Sequence, residues 1–524
     1  MQSWGAGPRL RSSRGDVMRC RVRARAGRLR ARTWTARAWL AAAAFAIALQ
    51  GGGAIARANT PPPPPAATVT LGTRTIAVPN SFFGLSVEYN QLPAYEAEGP
   101  IFDRLLSIIH PQPGMVLRIG GRSADRLYWQ ASTGGASRAV FELTPSWITQ
   151  LGALVRRDRL KVMLDLNLAV HSPSSAASFA KAVIGALPRS TVTGLTIGNE
   201  PDLYNHESFL AKERIPSTVR STPHNWTRNY SPRDYRRDFS AYASVLHKAL
   251  PGVPIGGPEI ASASPTWVQA VEGLGPLGPD FVTLHRYASS YCFPTTSARY
   301  PSIPLMLSPS SSTGLASTAR AAIAIAHSHQ QSLLVDESNS ISCNGRKGVA
   351  DTFATALWAP DLLFSMVHQG VEAINWHIRP NIVNAPFTLN KHGVEPLPEL
   401  YGLVLFSQMT PPGAQLVNAK LSAPAGVALK SWVVRVGGQL RTLLINKGRA
   451  PVNVTLALGT TGQATISRLK APSIGSMTGV RYANRWIGTD GRWHGRLVTQ
   501  TEQAQSGKYR VTLSPYSAAL ITSR

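Results

Sequence analysis

From residue 82 to residue 408 the apolar positions of the chain change period again and again. Short β-branched runs give way to stretches with an apolar residue every three or four positions, and the cycle repeats eight times. The first pattern reads as a buried strand and the second as a helix packed on one face. Strands are expected at Phe82–Tyr89, Met115–Ile119, Leu160–Leu168, Thr191–Ile197, Val253–Gly256, Phe281–Arg286, Ser332–Asp336 and Val371–Trp376. Helices are expected at Ile101–Ile109, Pro145–Arg156, Ala176–Leu187, Tyr235–Leu250, Trp267–Leu274, Leu315–His329, Ala350–His368 and Leu397–Gln408. Such alternation implies a parallel sheet. Eight units over about 325 residues suit an α/β fold of the (β/α)8 TIM-barrel kind.

After Pro411-Pro412 the rhythm stops. Short alternating runs such as Ala428–Val436, Leu440–Ile445 and Val452–Leu458 are separated by Gly and Pro turns, the pattern of an antiparallel β-sandwich. Upstream, Thr68–Val78 alternates in the same way and has no partner nearby, so it is expected to join that sandwich from the other end of the chain. The expected division is a leader over 1–58, a Pro-rich linker over 59–66, the isolated strand over 67–80, the barrel over 81–410 and the sandwich over 411–524.

Charge adds a leader and a partner class. Residues 1–38 hold eleven Arg and one Asp, and Trp39–Leu49 is an apolar run too short to span a bilayer. Ala54-Ile55-Ala56 or Ala56-Arg57-Ala58 follows as a small-residue cleavage site. Together these predict a Sec-type signal peptide and export to the periplasm or medium, with no membrane span in the mature chain. Met18 is an alternative start, and the run has no Arg-Arg pair before it. Removing the leader takes eleven units from the net charge of +27 and leaves +16. A basic mature chain favours acidic partners. Without a Lys/Arg block interleaved with aromatics after the leader, nucleic acid is not among those expected. Cys292 and Cys343 remain after the leader, and two cysteines in an exported chain suggest a disulfide, the alternative being two buried thiols.

Function in such a barrel sits where the strands end. Strand one delivers Glu88 and Asn90; strand two delivers Arg118, Gly120, Gly121 and then Asp125. Strand three delivers Asp165 and Asn167, strand four Asn199 and Glu200, and strand six His285, Arg286 and Tyr287. Strand seven ends in Asp336-Glu337, and strand eight delivers Asn375, Trp376 and His377. Glu200 leaves a strand tip between Asn199 and Pro201, and that proline fixes the direction of exit. Alone, this is equally an ordinary Asn/Pro loop. Paired with Glu337 across the barrel mouth, it suits glycoside hydrolysis by two carboxyl groups, roughly 5–5.5 Å apart for a retaining reaction. Asp336, next along the strand, is expected to face the other side. His285 and His377 lack a local metal-ligand spacing and are expected to be structural. Gly120-Gly121 lacks the rest of a phosphate loop. Neither a metal nor a cofactor is implied.

These residues carry a resemblance. Asn199-Glu200-Pro201 on strand four with Glu337 on strand seven resembles the clan A glycoside hydrolases. More narrowly, Phe83-Gly84-Leu85-Ser86-Val87-Glu88-Tyr89, Leu117-Arg118-Ile119-Gly120-Gly121, Gly198–Tyr204 and Gly348–Trp358 are similar to glycoside hydrolase family 79, which holds β-glucuronidases and heparanases. The resemblance covers roughly residues 67–524. It implies a retaining, β-glucuronidase-like exo-enzyme acting on a carbohydrate, with Glu200 as acid/base and Glu337 as nucleophile. Asn199 would hold the sugar 2-hydroxyl, Tyr287 would steer Glu337, and Glu88 and Asp125 would bind hydroxyls. Family members that bind uronate often carry Tyr-Gly-Gly after the nucleophile; here the stretch is Ser342-Cys343-Asn344-Gly345-Arg346-Lys347. Its amides, including those of Asn344 and Gly345, or its two cations are the expected carboxylate holders. On this map Cys292 follows strand six and Cys343 strand seven, and they are expected to be bonded. The alternatives are a clan A enzyme for a neutral sugar and a non-catalytic glycan binder.

Overall fold

A computed structural model describes residues 63–129, 141–169, 171–204, 230–390 and 393–524. The expected leader lies outside them, as do Pro61 and Pro62 of the linker. Among the described residues no helix is long and apolar enough to cross a membrane.

The eight short runs close into one parallel barrel in which strand eight pairs with strand one, Trp376 opposite Leu85. The strands are Phe83–Glu88, Val116–Gly120, Lys161–Leu166, Val192–Ile197, Ile255–Ile260, Phe281–Ser290, Leu333–Ser342 and Ala373–Ile378. Closure buries both faces, which is why these runs are apolar throughout. Strand five runs past the expected Gly256 to Ile260, because Gly257-Pro258 interrupts the apolar pattern without ending the strand. Strands six and seven also extend beyond expectation, to Ser290 and Ser342, and carry the chain to the two cysteines.

Local chemistry starts the helices where the pattern placed them. Thr144 caps Pro145–Asp158 by accepting from the Trp147 N–H. Ser231 and Asp234 form a reciprocal capping box on Pro232–Ala249. The single helix expected over Leu315–His329 is two, Thr313–Ser317 and Arg320–Ser328. Phe353–Gln369 is buried from Phe353 through Val367, as a helix apolar on all sides must be.

The second layer is a ten-stranded sheet around its own apolar core, to which Val69, Val433, Leu444, Val454, Val511 and Ile521 contribute. Its pairs are antiparallel save one. The N-terminal strand Ala66–Ala77 lies between Gln415–Ser422, antiparallel, and Val452–Ala457, parallel. The sandwich therefore takes up both ends of the described chain. Asp361 of the buried helix joins it to the barrel, accepting from Lys447 Nζ at 2.7 Å and Trp432 Nε1 at 3.0 Å.

Candidate active site

The strand ends converge on one guanidinium. Arg118 is fully buried. Its Nη1 donates to Glu337 Oε2 at 2.7 Å and Ser86 Oγ at 3.1 Å. Its Nη2 donates to Glu259 Oε2 at 2.9 Å, and to Asp165 Oδ2 and Asn199 Oδ1 at 3.3 Å each. Gly120 makes room for it, since a Cβ there would lie 2.7 Å from the guanidinium carbon. Burial opposes the charge of Arg118, but the four surrounding carboxyl groups outweigh it and push the pKa up.

Above this floor stand Glu200 and Glu337. A carboxylate oxygen of each lies within 4.8 Å of the other and of a His285 ring nitrogen. Glu200 is held in the left-handed region, φ 48° and ψ 52°, and its N–H donates to Glu259 O at 3.0 Å. That conformation is disfavoured by about 1–2 kcal/mol for a residue with a Cβ, and the barrel imposes it. Tyr287 donates from its hydroxyl to Glu337 Oε1 at 2.8 Å. His285 Nδ1 is 3.2 Å from Glu200 Oε1, and His377 Nδ1 is 3.7 Å from Glu337 Oε2. Both imidazoles thus stand against the carboxyl pair rather than in purely structural positions.

The two environments differ in sign. Burial pushes Glu200 up, and the Glu337 charge adds to it against the opposing His285 contact. Burial acts on Glu337 too, but the charges of His377, His285 and Arg118 and the Tyr287 hydrogen bond outweigh it and hold Glu337 well below the usual carboxylate range. One carboxyl group is set to hold a proton while its neighbour is ionised.

Asp336 corrects the expectation from strand alternation. It is fully buried beside its neighbour's partners, with Oδ2 4.0 Å from Arg118 Nε and Oδ1 3.7 Å from His285 Nε2. The pairing register with strand six shifts between Val335 and Glu337. Such a bulge turns consecutive side chains the same way. Glu259, at the missed end of strand five, completes the buried floor; the Pro258-Glu259 step beyond Gly-Gly was its only sequence signal. Burial pushes Asp165 and Asp336 well up, whereas Arg118 keeps Glu259 low against the same burial. The floor therefore tunes neighbouring acids in opposite directions around one guanidinium. Glu200–His285–Glu337 and Glu259–His285–Asp336 each bring ligand atoms within 4.8 Å, but Arg118 already supplies a cation to both.

A cavity of about 640 Å³ opens over the pair. Glu88, Asn199, Tyr287, Asn344, Cys292 and Cys343 line it. Glu88 Oε2 accepts the Ser123 N–H at 2.7 Å. Cys292 and Cys343 are joined, S–S 2.09 Å. Two expected contacts are not brought there. Asp125 is 2% exposed, accepts from the Tyr204 hydroxyl at 2.7 Å and is not part of the lining. Its place in a 3-10 turn, Gly121–Arg126, directs it inward. Gly345 packs toward Asn384 and Val383 behind the wall. Of the expected carboxylate holders beyond it, Arg346 donates to Pro301 O at 2.5 Å and covers the Tyr300 ring. Lys347 is outside the lining. Arg122, Arg286, Arg299 and Arg379 line the cavity instead.

No protein-family model and no curated protein sequence matches the chain. Solved structures do. A 4-O-α-L-rhamnosyl-β-D-glucuronidase from Fusarium oxysporum 12S superposes with a TM-score of 0.71 at 15% identity, over 87% of this chain and 100% of that one. An arabinofuranosidase from Xanthomonas axonopodis pv. citri gives 0.63 at 14%, over 88% and 100%. The catalytic domain of xylanase C from Talaromyces cellulolyticus gives 0.53 at 11%, over 88% and 100%. At these identities the likeness is one of fold.

Proposed function

We propose that this chain, which shares its fold with glycoside-cleaving enzymes, is a retaining glycoside hydrolase of the β-glucuronidase type. The observation that carries the reading is the pair itself. Two carboxyl oxygens within 4.8 Å, one group pushed toward its protonated form and the other held ionised, suit the short spacing of a retaining reaction.

In the first step Glu200 gives its proton to the glycosidic oxygen as Glu337 attacks the anomeric carbon. The bond to the leaving group breaks and an ester to Glu337 forms. In the second step Glu200, now ionised, takes a proton from water, and the water oxygen displaces Glu337. Arg118 and Tyr287 aim the Glu337 oxygens and keep that group ionised; Asn199, 1% exposed at the cavity floor, is the hydrogen-bonding group beside the sugar ring. A uronate as the glycone is supported by Arg122 and Arg379. They line the cavity with Glu88: Glu88 ends strand one, and Arg122 and Arg379 follow strands two and eight, which neighbour it in the barrel. Arg379 Nη1 also donates to Asn344 Oδ1 at 3.3 Å. The basic mature charge and the export leader read from the sequence agree with an acidic glycan met outside the cytoplasm.

The test is a panel of chromogenic β-glycosides, uronides and neutral sugars, with the anomeric form of the first product followed by NMR. Uronide turnover with retained configuration is expected. Glu337→Gln is expected to lower it by roughly 10³-fold or more while the protein stays folded. Near-normal turnover by that variant sinks the mechanism, and turnover of neutral sugars alone removes the uronate.

A further inference from the structure

The cavity wall next to Glu200 carries a buried cation that has no direct ion pair among the described residues. Arg286 follows His285 on strand six and is 8% exposed. Its Nη1 makes a long bond to Ala261 O, 3.4 Å, and its Nε is buried without a partner among the described residues. Burial pushes its pKa down to about 10, and the charge of Arg299 adds to that. Asp202 opposes this with its charge but makes no direct contact with Arg286; its two oxygens accept from the N–H groups of Ala261 and Ser262 at 2.9 Å. Arg118, fully buried, shows the contrast: Glu337 and Glu259 at 2.7 and 2.9 Å hold it charged. A buried guanidinium without a carboxylate in direct contact gains when an anion reaches it.

Arg299 stands at the same cavity with its guanidinium carbon 4.7 Å above the Phe293 ring. Two cations, one buried and one exposed, thus line one side. Arg286 reaches Ala261 O, which follows strand five, and Ala261 lines the cavity together with Glu200 and Leu203 from the end of strand four. In the reaction proposed above the leaving oxygen takes its proton from Glu200, so whatever lies beyond that oxygen meets this wall.

We infer that Arg286, assisted by Arg299, binds an anionic group, a carboxylate or a sulfate, carried on the leaving-group half of the substrate. The assignment of sides rests on the glycosidase reading. A planar guanidinium with free donors matches either oxyanion. The site is distinct from the Arg122 and Arg379 side, which would face the sugar being transferred.

The test uses the full chain carrying Glu337→Gln and three probes alike but for one substituent: 4-carboxyphenyl, 4-sulfophenyl and 4-carbamoylphenyl β-D-glucuronide. Titration calorimetry is expected to show one or both anionic probes binding about tenfold more tightly than the neutral one. Which of the two gains more distinguishes carboxylate from sulfate. Adding Arg286→Gln is expected to erase the difference, and Arg286→Lys to restore part of it. Arg299→Gln, on an exposed loop, is expected to reduce it while keeping the melting temperature, so a folding defect at Arg286 does not mask the answer. Equal binding of the three probes, an equal loss on all three in Arg286→Gln, or no binding at all overturns the inference. Turnover is read separately on the unsubstituted chain. If no glycoside is cleaved but the anion preference stands, the hydrolase reading fails and the anion site survives; cleavage without preference is the reverse.

Discussion

His285 Nδ1 lies 3.2 Å from Glu200 Oε1, while its Nε2 lies 3.3 Å from Arg118 Nη2. One ring therefore couples the carboxyl group whose pKa is raised to the cation that serves the one held low. Burial disfavours a charge on His285, but Glu337 and Glu200 outweigh it and raise its pKa.

The first prediction concerns that ring. Contact with His285 lowers the pKa of Glu200 and its charge lowers that of Glu337. Activity requires Glu337 ionised and Glu200 protonated. It is therefore lost at low pH as Glu337 gains a proton and at high pH as Glu200 loses one. His285→Gln removes both lowering effects, so both limbs of the kcat/KM profile are expected to move to higher pH. A variant that loses rate with both limbs unmoved would show that the ring acts only in packing.

Glu200→Ala separates proton donation from nucleophilic attack. An aryl glycoside with a good leaving group needs little protonation, whereas an alkyl or sugar leaving group needs it fully. The loss is expected to be roughly 10²–10⁴-fold greater on the poor leaving group. Parallel kinetics on both substrates check this, and equal losses argue against the acid role.

Asp336 and Glu259 of the buried floor are pushed in opposite directions. Burial pushes Asp336 well above the usual carboxylate range, so Asp336→Asn is expected to remove less charge than Glu259→Gln, whose acid Arg118 keeps low. The stability of Asp336→Asn in denaturant titration is expected to stay within about 1 kcal/mol of wild type near neutral pH. Glu259→Gln deletes the ion pair at 2.9 Å to Arg118 and is expected to cost about 3 kcal/mol or more. The opposite ranking would show that Asp336, not Glu259, is the floor acid held low.

Glu399, fully buried on helix Pro398–Met409, accepts from Trp376 Nε1 at 3.0 Å. Burial outweighs that bond and pushes its pKa up to about 8. A raised carboxyl pKa means that the folded chain holds a proton the unfolded chain releases. This contribution is complete below about pH 4.3, the unfolded value, and is lost as pH rises through about 8. Glu399→Gln keeps an acceptor without the titration. Its stability relative to wild type is expected to rise between pH 5 and 9, by about 2–4 kcal/mol. Parallel stability curves for the two proteins over that range would place the proton elsewhere.

Much of the molecule is legible along the chain because strand and helix periods are local properties of backbone geometry. The eight-unit rhythm, the change after Pro412, the lone N-terminal strand and the delivery of Glu200 and Glu337 to strand ends all follow from that. The joined cysteines follow from where strands six and seven end. Tertiary closure decided the rest. It brings Arg118 to Glu337 across 219 residues and gives Glu200 and Glu337 opposite electrostatic surroundings. A register shift at Asp336 turned it toward Arg118, against strict alternation. The 3-10 turn took Asp125 behind the wall, and Gly257-Pro258 hid the continuation of strand five to Glu259. Arg286 reads in sequence as one more polar residue at a strand tip; only packing leaves it buried and without a direct ion pair among the described residues. Period depends on neighbours a few residues away, whereas pKa, strain and unmet charge depend on what the closed barrel sets within a few ångströms.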